Sequence, residues 1–144
     1  MKLKLHFSRA VFEAVPLPSF IVDEDLRILD FNAAAEAFLG FAPRSSLHRR
    51  GGEVLHCVYA GTIGCGKSKL CQKCVIRNSV KSAVAGTGVS RKFHQAELRS
   101  SRGVVPVSLL VTASLLPGTE TPQLLLVLEN VAETARLYQR HLGP

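Results

Sequence analysis

Four cysteines carry the most pointed chemistry in this chain. Cys57, Cys65, Cys71 and Cys74 fall within one window of 18 residues as C-x7-C-x5-C-x2-C, and no others occur. Four thiolates are the donor set of a tetrahedral zinc site and equally of an iron–sulfur cluster. The spacing does not separate the two and matches none of the common ferredoxin runs. Cys71 and Cys74 can offer two sulfurs to one metal, and Cys65, between Gly64 and Gly66, sits in backbone able to bend tightly around a ligand. A four-thiolate centre is anionic, about −2 around zinc, and Lys67, Lys69, Lys73, Arg77 and His56 are at hand to offset it or to donate to sulfur. The same cations support a second chemistry, because they lower a thiol's pKa and make it the nucleophile that a reversible disulfide switch requires. Cys71 and Cys74 are then the natural pair, with Cys57 and Cys65 as a second bridge where their Cα atoms come within about 7 Å. The plain alternative is four reduced cysteines in a core. A c-type haem is excluded, since Val75 and not a histidine follows Cys74.

The same window holds a competing motif. Gly61-Thr62-Ile63-Gly64-Cys65-Gly66-Lys67-Ser68 satisfies G-x-x-x-x-G-K-S literally. In a phosphate loop Lys67 would reach the β- and γ-phosphates and Ser68 would hold Mg²⁺. Against this remote nucleotide-binding alternative, a C-x-x-C follows where the phosphate-facing helix should begin, and the chain lacks the repeated βα units of a parallel sheet. The glycines are better explained as the flexible wrapping of a metal or disulfide site. Asp23, Glu24, Asp25 and Asp30 read as solvated turn formers, and His6, His48 and His141 as surface residues. No catalytic residue is expected, and the chain reads as a non-enzyme.

These residues need a scaffold, and 144 residues suit one compact domain. Hydrophobic residues make up 47% and charged residues 20%, which permits a core and excludes a disordered chain. No apolar run is long enough to span a bilayer and no secretory signal is visible, so the expected location is the cytoplasm, without membrane insertion. The net charge of +7 is uneven: residues 43–102 hold twelve bases and two acids, the rest six bases and nine acids. With no basic run longer than two and few aromatics interleaved, the block reads as a solvated face, and nucleic acid as an unlikely partner.

Along the chain, residues 8–15 predict a short helix capped at Ser8 and ended by Pro16 and Pro18. Residues 19–22 and 26–31 predict an antiparallel hairpin around the turn at 23–25. Asn32 caps a helix over 33–39 that Gly40 ends in a left-handed conformation. A helix is predicted over 75–85. Strands follow at 89–98 and 105–115, then a strand at 124–128 covered on both faces, and a last helix over 131–141. The layout is α+β.

The stretch Phe12-Glu13-Ala14-Val15-Pro16, then Phe20-Ile21-Val22-Asp23, then Ile28-Leu29-Asp30-Phe31-Asn32-Ala33-Ala34, with Gly40 after the helix, resembles the opening of the PAS sensor domain family. The resemblance runs over roughly 8–136, and Glu129-Asn130-Val131 sits where the family's exit helix begins. It implies a PAS-like five-stranded antiparallel sheet with helices packed on one face. It also implies an N-terminal extension over 1–7, a sensor domain over 8–131 with a Cys-rich insert at 57–74, and an exit helix over 132–144. The implied function is a signal-transduction sensor, here of redox state or oxygen, using Cys57, Cys65, Cys71 and Cys74 as metal ligands or as disulfides. Some PAS-containing bacterial sensors hold an iron–sulfur cluster on four cysteines, so that cofactor is expected first, with zinc or none as alternatives. The expected partners are a second copy of the chain and a histidine kinase or other effector domain, as in two-component systems. A haem would want a histidine, for which His56 and His94 are the candidates, and the cysteine-containing run of a photoactive flavin domain is absent. The alternative is a small-ligand-binding or dimerisation module with structural cysteines.

Overall fold

The computed structural model describes residues 2–40, 47–55, 57–58 and 64–142. Its elements are α1 (Lys2–Ala14), β1 (Ser19–Asp23), β2 (Ile28–Phe31), α2 (Ala33–Leu39), α3 (Gly51–Val54), a 3-10 turn (Lys69–Lys73), α4 (Val75–Val84), β3 (Val89–Ser100), β4 (Gly103–Leu115), β5 (Gln123–Asn130) and α5 (Val131–Leu142). The five strands form one sheet in the order β2-β1-β5-β4-β3, and every pairing is antiparallel. The expected α+β sheet is borne out. The antiparallel pairing also removes the parallel framework that a phosphate loop needs.

Alternation along the strands sends one set of side chains to a common face. Phe20 and Val22 of β1, Ile28 of β2, Leu109, Val111 and Ala113 of β4, and Leu124, Leu126 and Leu128 of β5 are all buried there. Helix α4 closes this face with Ile76, Val80 and Ala83, a helical spacing that turns one stripe onto the sheet. The run at 124–128 is buried on that side only. Leu125 and Val127, on the other side, are half-buried.

Asn32 ties the N-terminal elements together. It is 1% exposed, and its Oδ1 accepts from the amides of Ser19 (3.0 Å) and Ala35 (2.9 Å), capping α2 as predicted. Its Nδ2 donates to the carbonyls of Phe12, Val15 and Leu17, each at 3.1 Å, and so holds the end of α1 against the sheet. Gly40, at φ 70°, ends α2 as expected, with its N–H on the Glu36 carbonyl.

Three further features differ from the sequence reading. Helix α1 starts at Lys2, so most of the expected extension is helical. Strand β2 starts at Ile28 and not at 26, because Leu26 turns at φ 65° while its side chain stays 2% exposed in the core. Two short elements, α3 just ahead of Cys57 and the 3-10 turn around Cys71, are announced by no periodicity, each being shorter than two helical turns. Segments around the cysteines also shield sheet edges: Ile28 N–H donates to the Arg49 carbonyl beside β2, and Val58 N–H to Glu97 on β3.

Candidate functional site

Between the buried face of the sheet and the segment carrying α3, the 3-10 turn and the start of α4 lies a cavity of about 280 Å³. Part of its wall is apolar, made by Phe20, Val22, Ile28, Leu126 and Leu128 of the sheet and Leu26 of the β1–β2 turn, while β3 adds His94, Gln95 and Glu97. All four cysteines stand on its wall, together with Arg77, Lys73, His94 and Glu97.

Each cysteine reaches the cavity by a different local device. Cys57 follows α3, with its N–H on the Gly52 carbonyl (2.8 Å), and bridges to Leu98 of β3. Cys65 lies between Gly64 and Gly66, whose φ values of 93° and 87° are the left-handed conformations that let the chain turn around it. Cys71 sits in the 3-10 turn, which Ser68 starts by accepting the Leu70 amide on its hydroxyl (3.2 Å). Cys74 occupies the N-cap of α4. Cys65 and Cys71 are buried, Cys57 and Cys74 half-buried, and no disulfide joins any of the four.

Their surroundings are unequal. Burial pushes the Cys74 thiol up; the Arg77 and Ile76 amides at the start of α4 pull against that, and the sulfurs of Cys57 and Cys65 add to it. Cys65 instead receives a charged donor, the Arg77 guanidinium, at 3.1 Å from its sulfur. That guanidinium is also 3.6 Å from Asp25, whose other oxygen takes two hydrogen bonds from Arg50 at 2.7 and 3.0 Å. The Arg50 hydrogen bond, above all, holds the Asp25 carboxyl below its usual range, with Arg27 and Arg77 adding to it. Burial lowers the pKa of His94.

The four thiols are soft donors of the kind that zinc and iron–sulfur clusters take. Among the described residues, however, no three His, Cys, Asp or Glu side chains stand together in a way that could hold a metal ion. The cysteines share a cavity without forming a coordination shell. Of the cations expected to serve them, Arg77 reaches a sulfur and Lys73 lines the cavity, while His56 and residues 61–63 of the glycine-rich motif lie outside the described residues. His94, the other haem candidate, does line the cavity.

Sequence reasoning missed Arg50 and misread Asp25. In the hairpin turn it is Asp23 that caps the backbone, accepting the amides of Asp25 and Arg27, which frees Asp25 to face three arginines. No spacing rule marks that partnership, because Arg50 and Arg77 come from distant segments.

Residues 6–70 match the family model of the PAS domain. No curated protein matches the sequence. Solved structures share the fold. The PAS domain of nitrogen regulation protein NR(II) from Vibrio parahaemolyticus is 14% identical, covering 86% of this chain and 97% of its own, at a TM-score of 0.62. The PAS domain of an HTR-like protein from Haloarcula marismortui is 17% identical, covering 91% and 100%, at 0.57. A domain of a sensory box sensor histidine kinase/response regulator from Geobacter sulfurreducens is 19% identical, covering 88% and 94%, at 0.58. The likeness to the PAS family read from the N-terminal third is borne out in sequence over 6–70 and in fold over most of the chain.

Proposed function

We propose that this chain of PAS fold is a non-enzymatic signal-input domain whose sensing groups are the cavity thiols. In this reading it is a cytoplasmic redox or oxygen sensor that passes its state through α5 to a second copy of the chain and to an effector such as a histidine kinase. The observation that carries the reading is the convergence of all four cysteines on one cavity. A PAS fold by itself implies no chemistry, but four thiols around one cavity supply it: they exchange electrons as dithiol and disulfide, or take a zinc or iron–sulfur occupant. A change there bears on the start of α4, whose N-cap position Cys74 occupies, and on the sheet that α4 covers. Helix α5 continues directly from β5, and Leu137, Tyr138 and Leu142 on it are 48%, 67% and 63% exposed, which suits a helix that hands the signal to a partner. Among the described residues no helix is long and apolar enough to cross a membrane.

Purification without oxygen, followed by a visible spectrum, iron, zinc and labile-sulfide analysis and a thiol titration before and after mild oxidation, tests the reading. It stands if the protein carries stoichiometric iron and sulfide that air destroys, or is metal-free and loses thiols in pairs reversibly. Replacing all four cysteines by serine must abolish either response. It falls if the thiols are inert, or if they hold one zinc that oxidants do not disturb, which would make the site structural.

The apolar part of the wall, made by Phe20, Val22, Leu26, Ile28, Leu126 and Leu128, favours a second reading, in which the cavity takes a small organic ligand and the cysteines are structural. Native mass spectrometry showing an organic adduct that persists in the all-serine variant would support it over the first.

A further inference from the structure

Four thiols on one cavity need not react alike. The order of reaction follows what stands beside each sulfur, above all a charged hydrogen-bond donor and a second sulfur within reach. The Arg77 side chain is 12% exposed and its NH2 donates to the Cys65 sulfur at 3.1 Å. The close packing of this pair is built into the backbone, since a Cβ on Gly66 would lie 2.7 Å from the guanidinium carbon. Around it, Asp25 answers three guanidinium groups, those of Arg50 at 2.7 Å, Arg77 at 3.6 Å and Arg27 at 3.7 Å. Glu53 is engaged with Arg49 at 3.9 Å. Lys73, His94 and Glu97 complete the ionisable groups of the wall.

A second thiol stands close by. A Cβ built on Gly52 would meet the Cys65 sulfur at 2.9 Å and the Cβ of Cys57 at 3.5 Å, so both side chains crowd the same bare patch of backbone. Glycine there admits them side by side.

Granting the thiol reading on which it rests, we infer that Cys65 is the reacting thiol of the cavity, that Arg77 is its positioning residue, that Cys57 closes on it, and that the reactant is a small peroxide. With hydrogen peroxide, the Cys65 sulfur attacks one oxygen: an S–O bond forms as the O–O bond breaks, the thiol proton is given up, and the departing oxygen takes a proton and leaves as water. The resulting sulfenic acid is then attacked by the Cys57 sulfur, forming the S–S bond and releasing the second water as the S–O bond breaks. The two sulfurs together lose two electrons and two protons to the peroxide. Arg77 also stands 3.6 Å from Asp25, which links the event to the β1–β2 turn.

The test uses the whole chain, reduced without oxygen and given sub-stoichiometric hydrogen peroxide with a sulfenic-acid trap, each cysteine being read by peptide mass spectrometry. Cys65 is expected to be trapped first, and its rate of alkylation by iodoacetamide to exceed that of Cys74 by about tenfold or more. Arg77→Gln is expected to cut the Cys65 rate by about tenfold while leaving the Cys71 rate unchanged, with Arg77→Lys in between. In Cys57→Ser the trapped sulfenic acid should accumulate, and no Cys57–Cys65 disulfide can form. Should the arginine variants fail to fold, the order of reaction in the unaltered chain still decides. First reaction at Cys71 or Cys74, or a bridge between those two, overturns the inference while leaving the thiol-sensor reading intact. So does a metal centre that protects Cys65 in the protein as purified. Inertness of all four thiols overturns both.

Discussion

Replacing Asn32 should unseat α1, β1 and α2 together. In Asn32→Ala the amides of Ser19 and Ala35 lose their acceptor in buried surroundings, and the carbonyls of Phe12, Val15 and Leu17 lose their shared donor. Each buried donor left unmade costs about 1–3 kcal/mol, and the carbonyls at the end of α1, nearer to water, add less. The expected loss is about 3–5 kcal/mol, against a total of about 5–15 kcal/mol for a domain, with a melting-temperature drop of roughly 10 °C or more. Asn32→Asp sharpens the test because it preserves shape and the cap acceptor but turns an oxygen toward three carbonyl oxygens. The fold then disfavours the charged form and raises that carboxyl's pKa above its unfolded value. The penalty is therefore small below the ordinary carboxylate pKa and grows as pH rises, so the variant should approach the parent near pH 4 and be weakest at neutrality. Urea melts followed by far-UV circular dichroism at pH 4.5 and 7.5 read both effects. A loss under about 1 kcal/mol for alanine, or an aspartate variant as stable as the parent at neutral pH, would refute the assigned role of Asn32.

Other perturbations follow from the same geometry. Gly52→Ala should displace the Cys65 sulfur that lies 2.9 Å from the new methyl, costing about 1–3 kcal/mol and changing Cys65 alkylation before that of Cys71; unchanged melting and labelling would contradict the close approach. Ser79 is 2% exposed and its hydroxyl has no hydrogen-bond partner among the described residues, so Ser79→Ala should be neutral or stabilising by up to about 1 kcal/mol, and a clear loss in a thermal melt would mean the hydroxyl is in use. Asp25, with its carboxyl held low by Arg50, contributes stability that is present above the ordinary pKa of 3.8 and lost as pH falls through the lower value of the folded state. Its side chain is 41% exposed, so screening limits the effect to about 1 kcal/mol or less; acid titration of Asp25→Asn should show a shallower loss below pH 4 than the parent, and identical curves would refute the coupling.

What the sequence made legible is what local rules govern. The cap at Asn32 and the left-handed stop at Gly40 depend on residues a few places apart, and both are found. The grouping of the cysteines was legible from spacing, and their sharing of one cavity is its three-dimensional counterpart. Their ranking was not legible. Lys67, Lys69 and Lys73 flank the cysteines in sequence, yet the guanidinium of Arg77, twelve residues beyond Cys65, reaches the sulfur, because α4 turns that side chain back toward the Gly64–Gly66 bend. The acid that holds Arg77 comes from the β1–β2 turn, where Asp23, Glu24 and Asp25 looked interchangeable as turn formers. The turn separates them: Asp23 uses its carboxylate on its own backbone, and Asp25 is left facing Arg27, Arg50 and Arg77. A turn former and a site residue thus differ here by two positions and by nothing in composition. The difference arises only when the sheet brings the β1–β2 turn over the start of α4, and for that reason Asp25 and Arg77 should fail together in a double-mutant cycle on Cys65 reactivity, with a coupling that neither single change predicts.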